Sequence, residues 1–419
     1  MGKLYRGELD RSRHVRVYLY ANAVNIQSDR PAHRILHVDV ATLTGRKHTA
    51  KAKLYVLGTG GIENPRLLLV SNKVEASGLG NGHDLVGRYF MDHPRILSGS
   101  IRFAEKWTSN KLFDIKFHYQ NPAIAAHGTS ISAQFGLAPE VQQREGVANA
   151  RVWFSSVFPG EGTEAADALI RMKHRLEDKD QQGWSLAQDL SILARHPLNT
   201  AGFVLARYLK PRFLLKDVNF QAIVEPEPDP DARVTLSGER DRLGLNRVRV
   251  GWKLGPITRR TFDRNFAILA DELEATGAAR VRLDAPLEGR SDWPATLHQE
   301  GTWHHMGTTR MHDSPRYGVV DRNSRMHGVS NLFIAGSSVF PTAGANLPTT
   351  TIVALSLRLA EYIAMELRSS PAILDTHASM QRSAAAAAPT RVDALAVQAS
   401  QVPQDAEPAR PPDHNEVES

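Results

Sequence analysis

Val56-Leu57-Gly58-Thr59-Gly60-Gly61-Ile62-Glu63-Asn64-Pro65-Arg66-Leu67-Leu68-Leu69 reads as strand, glycine turn and helix. Ala52 to Leu57 supplies an apolar run, and the glycines open a turn that leaves backbone N–H groups bare for close approach by a ligand. Asn64 suits an N-cap and Pro65 the first helical position, which predicts a helix beginning there. A strand that empties through glycines into a helix is the unit of an α/β fold.

Outward from this unit, His14 to Ile26 alternates apolar and polar residues at Val15, Val17, Leu19 and Ala21, a strand pattern. Ile35 to Val40 forms a second strand, and a Gly45-Arg46 turn separates it from Ala52 to Leu57. Strands are predicted near 151–158 and 218–225, and amphipathic helices near 164–177 and 185–195. Pro226, Pro228 and Pro230 punctuate the chain before a strand from Arg233 to Leu236. Phe262, Phe266, Leu269 and Leu273 fall at helical spacing and mark one buried face. Leu332-Phe333-Ile334-Ala335 is a fully apolar strand of parallel-sheet type. Thr349 to Leu367 is apolar almost all round, which predicts a deeply buried helix.

The 419 residues allow two domains and a full core. With 42% apolar and 23% charged residues, the chain is of globular type. It has no cysteine, which excludes disulfides, thiolate metal sites and cysteine nucleophiles and fits a reducing compartment. The net charge of +6 is spread along the chain, arginines interleaved with acids, which argues against a nucleic-acid partner. No apolar run reaches the roughly 18 residues of a membrane span. The N-terminus lacks a signal-peptide core, so a cytoplasmic location is the default expectation. Beyond His377 the sequence turns to alanine, proline, glutamine and acids, and residues 371–419 are expected to be a disordered tail.

Chemistry concentrates in Trp303-His304-His305-Met306-Gly307-Thr308-Thr309-Arg310-Met311, followed by Gly336-Ser337-Ser338-Val339-Phe340-Pro341. A neutral histidine suits a general base because its reference pKa lies near physiological pH. His304 and His305 are both candidates; the plain structural reading is a histidine pair hydrogen-bonded in a turn. In an extended segment the two rings point apart. A metal site built on His304, His305 and His312 lacks a carboxylate at helical ligand spacing, so no metal is expected.

These stretches resemble the glucose-methanol-choline (GMC) family of FAD-dependent alcohol and sugar oxidoreductases. The segment from Val56 to Leu69 resembles a family strand-turn-helix, and Val86-Gly87-Arg88-Tyr89-Phe90-Met91-Asp92-His93-Pro94 a second family segment. Asn331 to Pro341 resembles the strand and loop that lie along the flavin. The resemblance implies FAD as cofactor and an alcohol, sugar or polyol as substrate, with an unnamed electron acceptor. It places the active-site histidine at His304, three residues before Gly307-Thr308, with His305 as second choice. Its second active-site position falls on Asn346, in Thr342-Ala343-Gly344-Ala345-Asn346-Leu347-Pro348-Thr349, one residue out of step with the family's Asn-Pro pair. The alternative for Asn346 is a helix cap. Gly60, Gly61, Asn64, Gly336, Ser337, Pro348 and Thr349 are the implied flavin contacts. Asp92 and His93 read as a fold contact rather than a catalytic dyad.

A whole enzyme of this family opens with a Gly-x-Gly-x-x-Gly turn that holds the FAD pyrophosphate, and that motif is absent from this sequence. The expected fold is therefore α/β, an incomplete FAD-binding (Rossmann-like) domain interleaved with an antiparallel-sheet substrate-binding domain. The expected division is 1–95 for the partial FAD-binding domain, 96–300 for the substrate-binding domain, and 301–370 for the return to the FAD-binding domain. Two functions stay open. One is a flavin-dependent dehydrogenase completed by a missing N-terminal segment or partner chain; the other is a non-catalytic remnant or binding module that no longer holds FAD.

Overall fold

A computed structural model describes residues 2–104, 113–114, 133–157, 162–176, 185–205, 218–295, 297 and 302–369. The tail expected over 371–419 lies outside the described residues. The elements in chain order are α1 (Gly2–Arg11), β1 (Asn22–Ser28), β2 (Ile35–Ala41), β3 (Lys47–Ala50), β4 (Tyr55–Leu57), α2 (Gly60–Val70), β5 (Arg95–Phe103) and α3 (Pro139–Glu145). Then come β6 (Ala150–Ser156), α4 (Glu164–Leu176), α5 (Leu186–Arg195), α6 (Pro197–Val204), β7 (Val218–Val224), β8 (Arg233–Arg240) and β9 (Asn246–Gly251). The series closes with α7 (Pro256–Ala275), β10 (Ala279–Arg282), β11 (Leu332–Ile334) and α8 (Thr349–Ser369). The chain divides into two units, Met1–Ile363 and Ala364–Ser419; in the second, the described residues continue α8.

Within the first unit, β4 and β11 pair in parallel, Leu332 opposite Tyr55 and Ile334 opposite Leu57. Parallel partners so far apart in sequence bring residues 58–64 and 335–341 out of the same strand ends, where open α/β sheets hold their ligands. An antiparallel meander, β1-β2-β3, flanks them. One core gathers Leu67 and Leu68 of α2 with Met91, Met306, Leu332 and Ile334. A second core lies between α7 and a four-stranded sheet of order β10-β5-β7-β6. There Ile96, Val152, Phe220 and Ala222 meet Phe262 and Phe266 of α7, the face read from helical spacing.

Three local expectations change. The alternation from His14 does not form a strand until Asn22; Tyr18, Leu19 and Tyr20 are exposed, so burial does not reward the pattern there. α2 begins at Gly60 with Thr59 as its N-cap residue, so Asn64 and Pro65 lie inside the helix. Asn64 is fully buried and works backwards: its Oδ1 accepts from the backbone N–H of Thr59 at 2.9 Å and from the Thr59 hydroxyl. Proline brings no N–H to the carbonyl four residues before it, that of Gly61. The hydroxyl of Thr308 donates to that carbonyl at 2.6 Å, which offsets the loss. The third change is α8, where Leu359 is the buried residue and Val353 and Leu357 are exposed. Among the described residues, one stripe, at Ile352 and Leu355, meets the first core.

Candidate active site

The segment 302–309 is fixed from three sides. Met306 exchanges two backbone hydrogen bonds with Met91, at 2.9 and 3.0 Å, and Gly87 N–H donates to Thr308 O. On the opposite side Ser337, Ser338 and Val339 accept from the N–H groups of Gly307, Thr309 and Met311. Asn64 and Thr309 both donate to the Ser338 hydroxyl, which joins α2, the histidine segment and the loop after β11. Gly61 has no room for a side chain, because a Cβ there would lie 2.4 Å from the carbonyl oxygen of His305.

Asp92 shapes the entry to this segment. Its carboxylate accepts from the successive N–H groups of Thr302, Trp303 and His304 and from the Thr302 hydroxyl, at 2.9–3.2 Å. Three N–H groups converging on one anion form a nest, and the turn it needs puts Trp303 at φ +62°. The Asp92 side chain is buried, and its second oxygen lies 3.8 Å from Nε2 of His305. The two histidines diverge: His305 turns to Asp92, Phe90 and Trp303, and His304 to His93.

The hydrogen bonds fix both tautomers. Nε2 of His93 lies 2.7 Å from the carbonyl oxygen of Gly344, which only accepts, so Nε2 carries the proton. Burial pushes the pKa of His93 down, which keeps the ring neutral and leaves Nδ1 as an acceptor. Nδ1 of His304 lies 3.0 Å from that atom and 2.9 Å from Oγ1 of Thr302. The one hydroxyl proton of Thr302 goes to Asp92, so Thr302 also accepts from His304. His304 therefore carries its proton on Nδ1, shared between two acceptors, and its Nε2 holds a lone pair with no partner among the described residues. Burial first, and then the neighbouring His93 ring, which disfavours a second proton on the pair, lowers the pKa of His304.

Asn346 is exposed, and Nε of Arg151 on β6 donates to its Oδ1 at 3.0 Å, which turns its NH₂ group away from Arg151. Glu225, just past β7, accepts from the N–H of Gly344 at 2.8 Å and holds that loop to the sheet. Gly60 (φ +90°) and Gly336 (φ +101°) leave the ends of β4 and β11 with open space where a side chain would be. Ser337 spends its hydroxyl on the carbonyl of His305. Pro348 is buried, and exposed Thr349 opens α8. The sequence reading missed Thr302 and the His93–His304 contact. Their signals were present: Thr302 stands two residues before His304, and His93 lies in a quoted motif. Among the described residues, no group of three or more His, Asp or Glu side chains is placed to hold a metal ion, and no helix is long and apolar enough to cross a membrane.

Residues 228–356 match the family model described as GMC oxidoreductase. The chain is similar to the fructose dehydrogenase large subunit of Gluconobacter japonicus, 26% identical over 77% of this chain and 49% of that protein. It is also similar to the 2-methyl-1,2-propanediol dehydrogenase of Mycolicibacterium austroafricanum, 26% identical over 77% of this chain and 50% of that protein. The chain thus spans about half the length of the curated relatives it matches. In fold it is similar to an FAD-dependent oxidoreductase from Chaetomium thermophilum, with a TM-score of 0.50 and 14% identity over 87% of this chain and 65% of that one.

Proposed function

We propose, from the premise that the chain belongs to the GMC oxidoreductase family, that it carries the proton-accepting half of an FAD-dependent oxidation of CH–OH groups in an alcohol, sugar or polyol. The single observation behind this reading is the tautomer lock on His304, whose free Nε2 follows from its contacts with His93 and Thr302. A neutral ring with an unshared lone pair is what removal of a hydroxyl proton requires. His304 is the base in this reading; His305, engaged with Asp92, is second choice.

The residues present fit the ring end of the cofactor: Gly60 and Gly336 bare their backbone at the ends of the parallel pair, where a Cβ would stand in open space. Gly61, Asn64, Ser337, Pro348 and Thr349 complete the proposed cofactor wall, Asn64 and Ser337 from behind it. Flavin, when bound, supplies the hydride acceptor. His304 takes the hydroxyl proton at Nε2, and His93 and Thr302 hold the ring by Nδ1 throughout. Asn346 offers its NH₂ group to the substrate oxygen while Arg151 holds its other atom. In this division residues 1–95 and 301–370 serve the cofactor and 96–300 the substrate.

The test is a visible absorption spectrum of the purified chain with and without FAD, followed by addition of alcohols and sugars. Bound flavin bleached by a substrate in the wild type, and not in His304→Gln, is the expected result. Saturating FAD without a bound-flavin spectrum would leave the non-catalytic remnant as the better account. Equal bleaching in His304→Gln would remove His304 from the role.

A further inference from the structure

We propose that Arg95 binds an anionic group of the substrate, a carboxylate or a phosphate, on the sheet face beside His304. This rests on the reading of His304 as the base. The face follows from strand register. Arg95 on β5 and Arg151 on β6 both stand opposite Ile223 of the central strand β7, so the three side chains share one side of the sheet. In the next row Leu97 and Trp153 flank Gln221, and the indole N–H of Trp153 donates to Gln221 Oε1 at 2.9 Å.

This is the side away from α7. Ile96, Ala222 and Val152, the alternate residues, face that helix in the second core, whereas Ile223 and Trp153 are buried without belonging to it. The ladder runs one step further, the N–H of Val224 donating to Pro94 O, which puts His93 on the same side as Arg95, about 7 Å along the strand. Gly344 and Asn346 lie over this face, since they bond His93 and Arg151. A substrate hydroxyl at His304 thus has the row Arg95–Ile223–Arg151 within one sugar length.

Arg95 lacks what such a position demands. Its guanidinium is half-buried, its pKa is lowered by burial alone, and it forms no ion pair or hydrogen bond among the described residues. Arg151 spends Nε on Asn346 and Nη1 on the carbonyl of Ala150 and also has no carboxylate partner among the described residues. The nearest acid in the row beyond, Glu225, is engaged by Gly344 and Asn149. Most half-buried arginines here are paired, as Arg66 is with Asp241 and Arg88 with Asp84. A buried cation without a counterion is costly, and a substrate anion offsets that cost at the moment of binding. The positive charge of Arg95 reaches His304 as well, where it adds to the influences that keep the ring neutral.

The experiment is calorimetric titration of the full chain with gluconate, glucose 6-phosphate and neutral sorbitol, before any flavin is added. Gluconate or the phosphate ester is expected to bind at least tenfold more tightly than sorbitol, and comparison of the two tells carboxylate from phosphate. Arg95→Gln is expected to weaken the anion at least tenfold and leave sorbitol unchanged, with Arg95→Lys between them. Anion binding no tighter than that of sorbitol in the wild type overturns the proposal, whatever the variants do. Equal anion affinity in a folded Arg95→Gln chain overturns it too. His304→Gln is expected to keep the anion preference, so a failure of the base assignment and a failure of Arg95 give different results.

Discussion

Nδ1 of His93 and Nδ1 of His304 face each other at 3.0 Å, and only one proton can lie between them. Because Gly344 holds the His93 proton on Nε2, the shared proton belongs to His304. Long-range ¹⁵N–¹H spectra of the histidine rings are expected to give His304 as the Nδ1–H tautomer and His93 as the Nε2–H tautomer. An Nε2–H signal from His304 would end its candidacy as base.

The same pair ties stability to pH. Both pKa values are lowered in the folded chain, so the unfolded chain binds more protons once the pH falls below the ordinary histidine value of about 6.5. The stabilisation is fully present above that value and is lost as the pH falls through the folded pKa values. The melting temperature is expected to drop between about pH 7 and pH 5, and His93→Asn with His304→Gln to flatten that slope. A double variant with the wild-type slope would assign the loss to other groups.

Asp92→Asn tests the nest. A carboxylate that gathers three N–H groups and a hydroxyl is buried, and an amide offers one acceptor oxygen in its place. The variant is expected to lose about 2–3 kcal/mol in urea unfolding, the scale of hydrogen bonds to a charged group. A loss under about 0.5 kcal/mol would be that of an ordinary surface change and would contradict the role given to Asp92.

Gly61→Ala tests whether α2 supports the histidine segment. The new Cβ would lie 2.4 Å from the carbonyl oxygen of His305, an atom already held by Ser337. Backbone cannot swing aside as a side chain can, so a loss of about 1–3 kcal/mol is expected. Gly58→Ala, where a Cβ meets nothing within 4 Å, is the control and is expected to change stability by less than about 0.5 kcal/mol. Similar losses for both would mean that the close approach to His305 is not the cause.

What the sequence disclosed depended on whether a pattern had its cause nearby in the chain. The apolar runs at Leu332 and Tyr55 were legible from their shortness and flanking turn residues, and the Phe262–Phe266 face from its helical period. The exposed alternation at Val15–Leu19 misled, since alternation needs a partner surface to become a strand. Asn64 misled because its local preference for a cap yields to Ser338 and Ala335, more than 270 residues away. His304 was legible as a candidate, but its tautomer was not, because Thr302, Asp92, His93 and Gly344 meet only in the folded chain. Arg95 and Arg151 gave no sign of sharing a face, since strand register is set by tertiary pairing.

Thr308 and Pro65 form the sharpest case of such long-range compensation. Pro65 denies the Gly61 carbonyl its helical partner, and the Thr308 hydroxyl takes that place at 2.6 Å, fully buried. Thr308→Val keeps the shape and removes the donor, so it is expected to cost about 1–3 kcal/mol through an unsatisfied carbonyl. Pro65→Ala restores an N–H four residues on from Gly61, which gives that carbonyl a second route to a partner. The double variant should therefore lose less than the sum of the two single ones, with a coupling of about 0.5–3 kcal/mol in a double-mutant cycle by urea unfolding. Strict additivity would mean that the hydroxyl and the proline act independently.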